Sequence, residues 1–555
     1  MPKHTLVQGL RIVFALLFAL TVAHAKESGT AISSSLYVVR YDHWSNDDER
    51  DYRRFIQALG ESSCDTVNAC LHSEANPFRA SDPPDHVFAA DCADLPYVLR
   101  FYYAWKRGLP FSYAAAVAPV GAVGGDGDIR YSRHGNHVVS RIDVPGGVMS
   151  GYTIIDQIRA AVSSATYRIH PDAEEPFEQD FYSPMINPAS IRAGTVIYDP
   201  AGHLAIVFRV GPDGRIYFFD AHTDYSLTQM TYDLRFARAR PADGAGFKNW
   251  RPIRLVGATR QADGTLTGGH IVVATNKDIA DFSDEQYFGN GKRPADENWA
   301  QGAFTLNGER LDYYDYVRAQ LAGGQLMFDP VAEVGDMAAS ICSNLQYRVQ
   351  AVDRALAAGM ARKPEPDRLP PNIYGTEGDW ETYSTPSRDA RLKTAFKALR
   401  DEAQRFVTMR KHEDATRHLF YFGTDLVGDM LAAYDQATSQ CRIAYTRSDG
   451  SKITMSYEQA RERLFAMSFD PYQCPELRWG ATDPVELSTC PDGPVKRAWY
   501  AAEQDLRNQL ERTYDARMDF TLDELRAPGP GKGALSPPDT DVRAYLQSQR
   551  RAATD

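Results

Sequence analysis

The chain has 555 residues, with 61 Lys and Arg against 73 Asp and Glu, for a formal net charge of -12. An acidic balance without a basic block excludes nucleic acid and anionic lipid as main partners. A hydrophobic share of 43% excludes a disordered or low-complexity chain, and the length is ample for two or three domains.

The first residues read as an export signal rather than as part of the fold. Lys3 and Arg11 flank the start of an apolar run over residues 12–23, and Ala23-His24-Ala25 offers the small-x-small cleavage pattern. The run is shorter than the ~20 residues that a membrane span needs. Loss of residues 1–25 removes two positive charges, Lys3 and Arg11, and moves the net charge from -12 to -14. The protein is therefore expected to be periplasmic or secreted, with no stable membrane insertion after signal cleavage.

Leu36-Tyr37-Val38-Val39 reads as a short strand, and residues 47–59 as a helix with Phe55, Ile56 and Leu59 on one face. A polar loop over residues 73–85 leads into Asp91-Cys92-Ala93-Asp94-Leu95. There Leu95, Val98, Leu99, Tyr102 and Trp105 recur at helical spacing, until Gly108-Leu109-Pro110 stops the helix. Residues 111–190 are less regular: a Gly-rich turn over 121–127, a strand-like His137-Val138-Val139 and a helical stretch over 152–162. From Gly194 to Asp220 the pattern is that of antiparallel strands, with Gly211-Pro212-Asp213-Gly214 as the turn between residues 204–210 and 215–219. Further strands fall around Ile253-Arg254-Leu255 and His270-Ile271-Val272-Val273.

Past about residue 300 the periodicity becomes helical. Met337, Ile341, Leu345, Val349, Val352 and Leu356 mark one buried face, and helical runs follow over 390–409, 418–434, 457–466 and 495–514. Trp380 and Tyr383 fall in a polar loop and are candidates for a ligand platform. Residues 527–541 are rich in Pro and Gly. The expected organisation is a signal (1–25), a catalytic domain (26–300) with an insertion at about 112–185, a helical disulfide-stapled domain (301–526) and a flexible tail (527–555).

Seven cysteines, an odd number, leave one thiol over in an oxidising compartment. By sequence distance Cys64 pairs with Cys70, Cys474 with Cys490 and Cys342 with Cys441, one of several possible connectivities. That pairing leaves Cys92 free. A thiol at a helix start is favoured as thiolate by the unpaired N–H groups there, and Asp91 is a good N-cap for a helix whose first residue is Cys92. Pro96 falls within the first turns of such a helix, and a start capped by Asp94 is the alternative. His203 opens a strand and is the candidate general base; Asp220 closes the next strand and is the candidate orienting carboxylate. His222 is a substitute third member, and His137, nearer in sequence to Cys92, is a rival base. The Cys92 N–H is the expected oxyanion donor. His134 with His137, or His222 with Asp224, are too sparse to make a metal site, so neither metal nor cofactor is expected.

Asp91-Cys92-Ala93-Asp94-Leu95, the aromatic-rich helix after it and Gly108-Leu109-Pro110 resemble the nucleophile motif of papain-like thiol enzymes, with a spacing similar to the bacterial transglutaminase-like branch. Gly194-Thr195-Val196-Ile197-Tyr198 and Gly202-His203-Leu204-Ala205-Ile206-Val207 resemble the histidine motif of NlpC-type cell-wall peptidases. The resemblance covers about residues 85–225. The gap from Cys92 to His203 is longer than in either branch, and the NlpC-type upstream tyrosine motif is absent, with Phe78 and Val87-Phe88 in its place. The resemblance implies an α+β fold in which a papain-like thiol-enzyme domain, a nucleophile helix packed on an antiparallel sheet, precedes a mainly helical domain. It implies a cysteine peptidase or amidase acting through an acyl-enzyme on Cys92, with peptide or another amide, including peptidoglycan, as substrate. A transglutaminase-like acyltransferase and a catalytically inactive binding or scaffold protein of the cell envelope are the other readings.

Overall fold

The computed structural model describes residues 35–552 except 122–127, 175, 235, 237, 372–377, 384–385, 511–516 and 530. The predicted signal and the Gly-rich turn beyond Gly121 lie outside the described residues. The fold mixes helices with antiparallel sheets.

Residues 36–39 form only isolated bridges, Leu36 with Ser150 and Val39 with Leu266. The first long helix, α1 (Asn46–Glu61), opens on a capping box between Ser45 and Asp48 and buries Tyr52, Phe55, Ile56 and Leu59. The helix after Cys92, α2 (Asp94–Arg107), is buried nearly all round, where the sequence pattern implied one apolar face. Even Arg100 and Lys106 are interior, and each has a partner. Glu49 takes the Arg100 guanidinium at 2.9 Å with the Trp44 ring 3.4 Å away, and Asp82 takes the Lys106 ammonium at 2.5 Å. Charges paired in this way let the helix be central. Gly108, at φ 70°, closes it on the carbonyls of Ala104 and Trp105.

A two-stranded ribbon follows, β1 (Ser112–Pro119) with β2 (Asn136–Asp143), then α3 (Gly151–Ala161). Gly151 permits α3 to lie against α2, because a Cβ there would fall 2.1 Å from the Trp105 ring. The main sheet has six antiparallel strands: β3 (Phe181–Tyr182), β4 (Val196–Asp199), β5 (His203–Val210), β6 (Ile216–Ala221), β7 (Leu227–Thr231) and β8 (Gly246–Trp250). They lie in the order β3-β8-β4-β5-β6-β7. Side chains alternate between its faces. Leu204 and Ile206 join the core that holds α1 and α2, whereas Ala205 and Val207 join a second core with Phe218, Phe236 and α4 (Tyr313–Leu321). Cover on both faces explains the continuous apolar run of β5. The strands expected near 253–255 and 270–273 pair with each other as an antiparallel hairpin outside this sheet.

The second half is built on α5 (Pro330–Ala357), α6 (Pro386–Lys411), α7 (Leu426–Ser439) and α8 (Val542–Ala552), which share a core with Phe396, Leu399, Met430 and Tyr434. The predicted run over 418–434 begins as a loop, since Asp425 caps α7. The run over 495–514 is split into Pro494–Ala502 and Gln504–Asn508. A hairpin, Arg442–Thr446 with Lys452–Ser456, is present where no strand was foreseen. The predicted flexible tail ends in α8: Pro and Gly dominate only residues 527–541, and beyond them Val542 and Leu546 are buried at helical spacing. Trp380 lies on a short helix, Gly378–Tyr383, with its ring 5.8 Å from Tyr472, so it packs within its own half rather than forming a platform. All three disulfides pair as the sequence distances implied, Cys64–Cys70, Cys342–Cys441 and Cys474–Cys490, and Cys92 is free. Among the described residues no helix is long and apolar enough to cross a membrane.

Candidate functional site around Cys92, His203 and Asp220

The turn that carries Cys92 keeps Asp91 as the capping side chain, while Asp94, the alternative cap, is instead the first residue of the regular helix. Asp91 Oδ1 accepts the N–H groups of Ala93 (2.8 Å) and Asp94 (3.0 Å), and Asp94 Oδ2 accepts Asp91 N–H at 3.4 Å. This reciprocal box makes Asp91 the cap. The Leu95 N–H returns to the Asp91 carbonyl at 3.0 Å, but Pro96 has no N–H to give the Cys92 carbonyl, so regular helix begins only at Asp94. The Cys92 N–H donates to no group among the described residues, as befits a first-turn amide.

Cys92 packs against the core that holds α2, and its Sγ lies 3.9 Å from the Gly202 carbonyl oxygen. Gly202 is at φ 89°, and a Cβ there would meet the Tyr131 hydroxyl at 2.9 Å, so the turn from Asp199 into β5 needs glycine. Cys92 keeps some exposed surface, yet its sulfur is densely surrounded. Burial, with the Asp91 carboxylate beside it, pushes the thiol pKa well above the ordinary range. Arg391 and a backbone hydrogen bond at Leu204 act in the opposite sense and do not prevail. At rest the group is a thiol.

His203 and Asp220 face the other core. The His203 Nε2 and Asp220 Oδ2 are 2.5 Å apart, and the ring lies 6.3 Å from Phe236. Thr228, directly opposite Asp220 on β7, donates its hydroxyl to Asp220 Oδ1 and is 3.0 Å from His222 Nε2. Burial alone would raise the Asp220 pKa, but His222, His203 and Thr228 outweigh it and bring the carboxyl to about 2. Burial, assisted by Arg391, lowers the His203 pKa, and the Asp220 bond only partly offsets this. The resting pair is thus a neutral imidazole on a carboxylate. The carboxylate can only accept, which places the proton on Nε2 and the free lone pair on Nδ1.

The structure therefore brings Cys92 to the backbone of β5 beside His203 and joins His203 to Asp220. No hydrogen bond links the Cys92 sulfur to the His203 ring. His222 stacks over His203 at 6.1 Å and reaches Asp220 through Thr228. His137 is on the β1–β2 ribbon opposite Ala118, outside the strands that carry His203 and Asp220. Among the described residues, the His, Cys, Asp and Glu side chains gathered closely enough for a metal are Cys474, Cys490 and Asp492, and those two cysteines are disulfide-bonded.

Sequence reasoning missed Thr228 and the helical half's contribution. The Tyr347 ring of α5 stacks on His222 at 4.2 Å, and Arg388 and Arg391 of α6 bear on His222 and His203. The β6–β7 register would have revealed Thr228; nothing separates those two arginines in sequence from the rest. Compared with family models, curated proteins and solved structures, the chain matches none of them.

Proposed function

We propose that the chain is an exported cysteine-nucleophile amidase or peptidase with a papain-like catalytic half. Its substrate is peptide or another amide outside the cytoplasm, with cell-wall peptide the class to which the NlpC-type motif points. The observation that carries this reading is the His203–Asp220 pair, bonded at 2.5 Å with Nδ1 free, set one residue from the carbonyl on which the only unpaired cysteine rests. His203 is on the sheet face opposite the core against which Cys92 packs, so in the reaction the sulfur leaves the Gly202 carbonyl and passes the end of β5 to meet the ring. The thiol proton passes to Nδ1, the thiolate attacks the amide carbon, and the oxyanion takes the Cys92 N–H. The imidazolium, held by Asp220, protonates the departing amine and leaves an acyl group on sulfur. Water, deprotonated by the same imidazole, then releases the acid and restores the thiol.

The test is turnover of peptide amides by the full chain and by Cys92→Ala, with products analysed in the presence and absence of an added amine. The expected result is hydrolysis that falls by roughly 10³-fold or more in the variant. Full activity without Cys92 overturns the mechanism, and capture of the amine in place of water makes the protein an acyltransferase.

One observation favours a second reading, a catalytically inactive binding or scaffold protein. The thiol is protonated at rest and is not hydrogen-bonded to the imidazole. Alkylation separates the two: a Cys92 that stays unmodified by iodoacetamide at neutral pH in the folded protein supports the binding reading.

A further inference from the structure

Between the main sheet and the helical half lies a cavity on the His203 face. Its floor is Asp220, His222, Thr228 and Met230; its walls are Asn344, Tyr347 and Arg348 of α5 with Arg388, Arg391 and Leu392 of α6. Three guanidinium groups thus converge on a small space. The two carboxylates there are already taken. Asp389 holds Arg348 through two bonds, at 2.8 and 3.0 Å, and Asp220 holds His203 and Thr228.

Among the described residues Arg388 and Arg391 pair with no carboxylate. Arg391 makes no hydrogen bond or ion pair among the described residues. Arg388 gives one bond to the Thr223 hydroxyl at 3.3 Å and lies 5.2 Å from the Tyr347 ring. Arg348 is 2% exposed, and its Nη1 is buried without an acceptor. The Asn344 amide reaches only the Met230 sulfur, at 3.4 Å. The buried Arg348 donor without an acceptor costs free energy, and three guanidinium groups against two carboxylates that already have partners leave an excess of positive charge. An oxyanion in the cavity removes both penalties.

We propose that this cavity binds a carboxylate group of a small ligand or substrate, held by Arg388 and Arg391 with Arg348 and Asn344 as further donors. The space limits the bound group to a small one such as a carboxylate, with a cavity volume of about 40 Å³. Planar guanidinium forks match a carboxylate through paired bonds. Burial, together with Arg388 and Arg391, keeps the His222 pKa well below the usual histidine range, so His222 stays neutral on the cavity floor and adds no competing charge. The proposal goes beyond the amidase reading and does not rest on thiol chemistry. It makes the two halves joint owners of one site.

The test is calorimetric and thermal titration of the full chain with succinate, inorganic phosphate and neutral succinamide, in the native chain, Arg388→Gln/Arg391→Gln and Arg391→Lys. The expected result is saturable succinate binding and a raised Tm. Succinamide leaves both unchanged, the double variant weakens succinate by about tenfold or more, and the lysine variant loses less. Absence of saturable succinate binding, equal binding by the double variant, or tighter binding of phosphate than of succinate overturns the proposal. Alkylation of Cys92 is followed in the same samples. An inert Cys92 with normal succinate binding then removes only the amidase reading, and a reactive Cys92 without succinate binding removes only the carboxylate site.

Discussion

The two halves of the molecule handle buried charge differently. Around the main sheet most interior acids and bases are paired, Lys106 with Asp82, Arg141 with Asp180 and Arg168 with Asp243, while the Asp220 carboxylate rests on a neutral His203 and buried Asp199 is raised to about 6. Lys248 is likewise without a partner acid among the described residues and is brought down to about 7 by burial and the Arg251 charge. In the helical half Arg348 and Asp389 are matched, but Glu365, Asp470 and Glu503 gather as acids. Burial first, and then their mutual repulsion, raises the pKa of Glu365 and Glu503. Matched pairs keep stability level over a wide pH range, whereas a buried acidic group charges the fold with a penalty that grows as pH rises.

The comparison breaks most sharply at Asp220. Asp220→Asn removes the acceptor that fixes the imidazole tautomer, and turnover is expected to fall by about 10³- to 10⁴-fold while the far-ultraviolet spectrum is unchanged. A variant that keeps a tenth of the rate removes Asp220 from the mechanism.

Next in size is the staple of the helical half. Cys342→Ser/Cys441→Ser opens a loop with a sequence separation of 99, and the unfolding free energy in urea is expected to drop by about 4–5 kcal/mol. Cys64→Ser/Cys70→Ser, with a separation of 6, should cost only about 2 kcal/mol. Equal losses would mean that loop length does not distinguish the two halves.

A smaller effect is expected at Thr228, whose hydroxyl donates to a carboxylate. Thr228→Val should lower kcat by roughly tenfold together with the thermal midpoint, and Thr228→Ser, which keeps the donor, should restore both. An unchanged kcat removes Thr228 from the site.

The smallest change concerns the acidic cluster. A carboxyl whose folded pKa is raised contributes stability that is complete below its unfolded pKa and is lost as pH rises toward the folded value. Glu365→Gln should therefore raise stability at pH 8 by about 1 kcal/mol, with the gain disappearing toward pH 4. A gain independent of pH would show that packing, not charge, governs that cluster.

Much of the frame was legible in the sequence. The turn at Gly211–Gly214, the strands on either side of it and the stripe that became α5 follow from local periodicity and from residues with strong turn preference. The cysteine pairing followed from distance along the chain. The site was legible only where its parts were near in sequence, as with His203 and Asp220 on paired strands. Thr228 depends on a strand register, and Arg388 and Arg391 depend on how α6 docks against a sheet more than 150 residues away in the chain. The all-round burial of α2 was hidden because Arg100 and Lys106 look like solvent-facing residues until Glu49 and Asp82 are placed beside them. The hairpin at Arg442–Thr446 was legible, with Ile443, Tyr445, Ile453 and Met455 at alternate positions around Asp449-Gly450, but its short strands sit among helical runs that obscure it.

The resting place of Cys92 on the Gly202 carbonyl also bears on how the chain reaches its native covalent state. Thiol–disulfide exchange needs a thiolate, and burial holds this sulfur in the protonated form. Once α2 has docked, the odd cysteine at rest attacks the three bridges slowly, and only a sulfur freed from this turn and paired with His203 becomes a nucleophile, so scrambling is suppressed without a fourth bridge to sequester it. A substitution that loosens this turn, such as Asp91→Ala, would thus appear first as mispaired disulfides during oxidative refolding, before any change in a catalytic rate is measured.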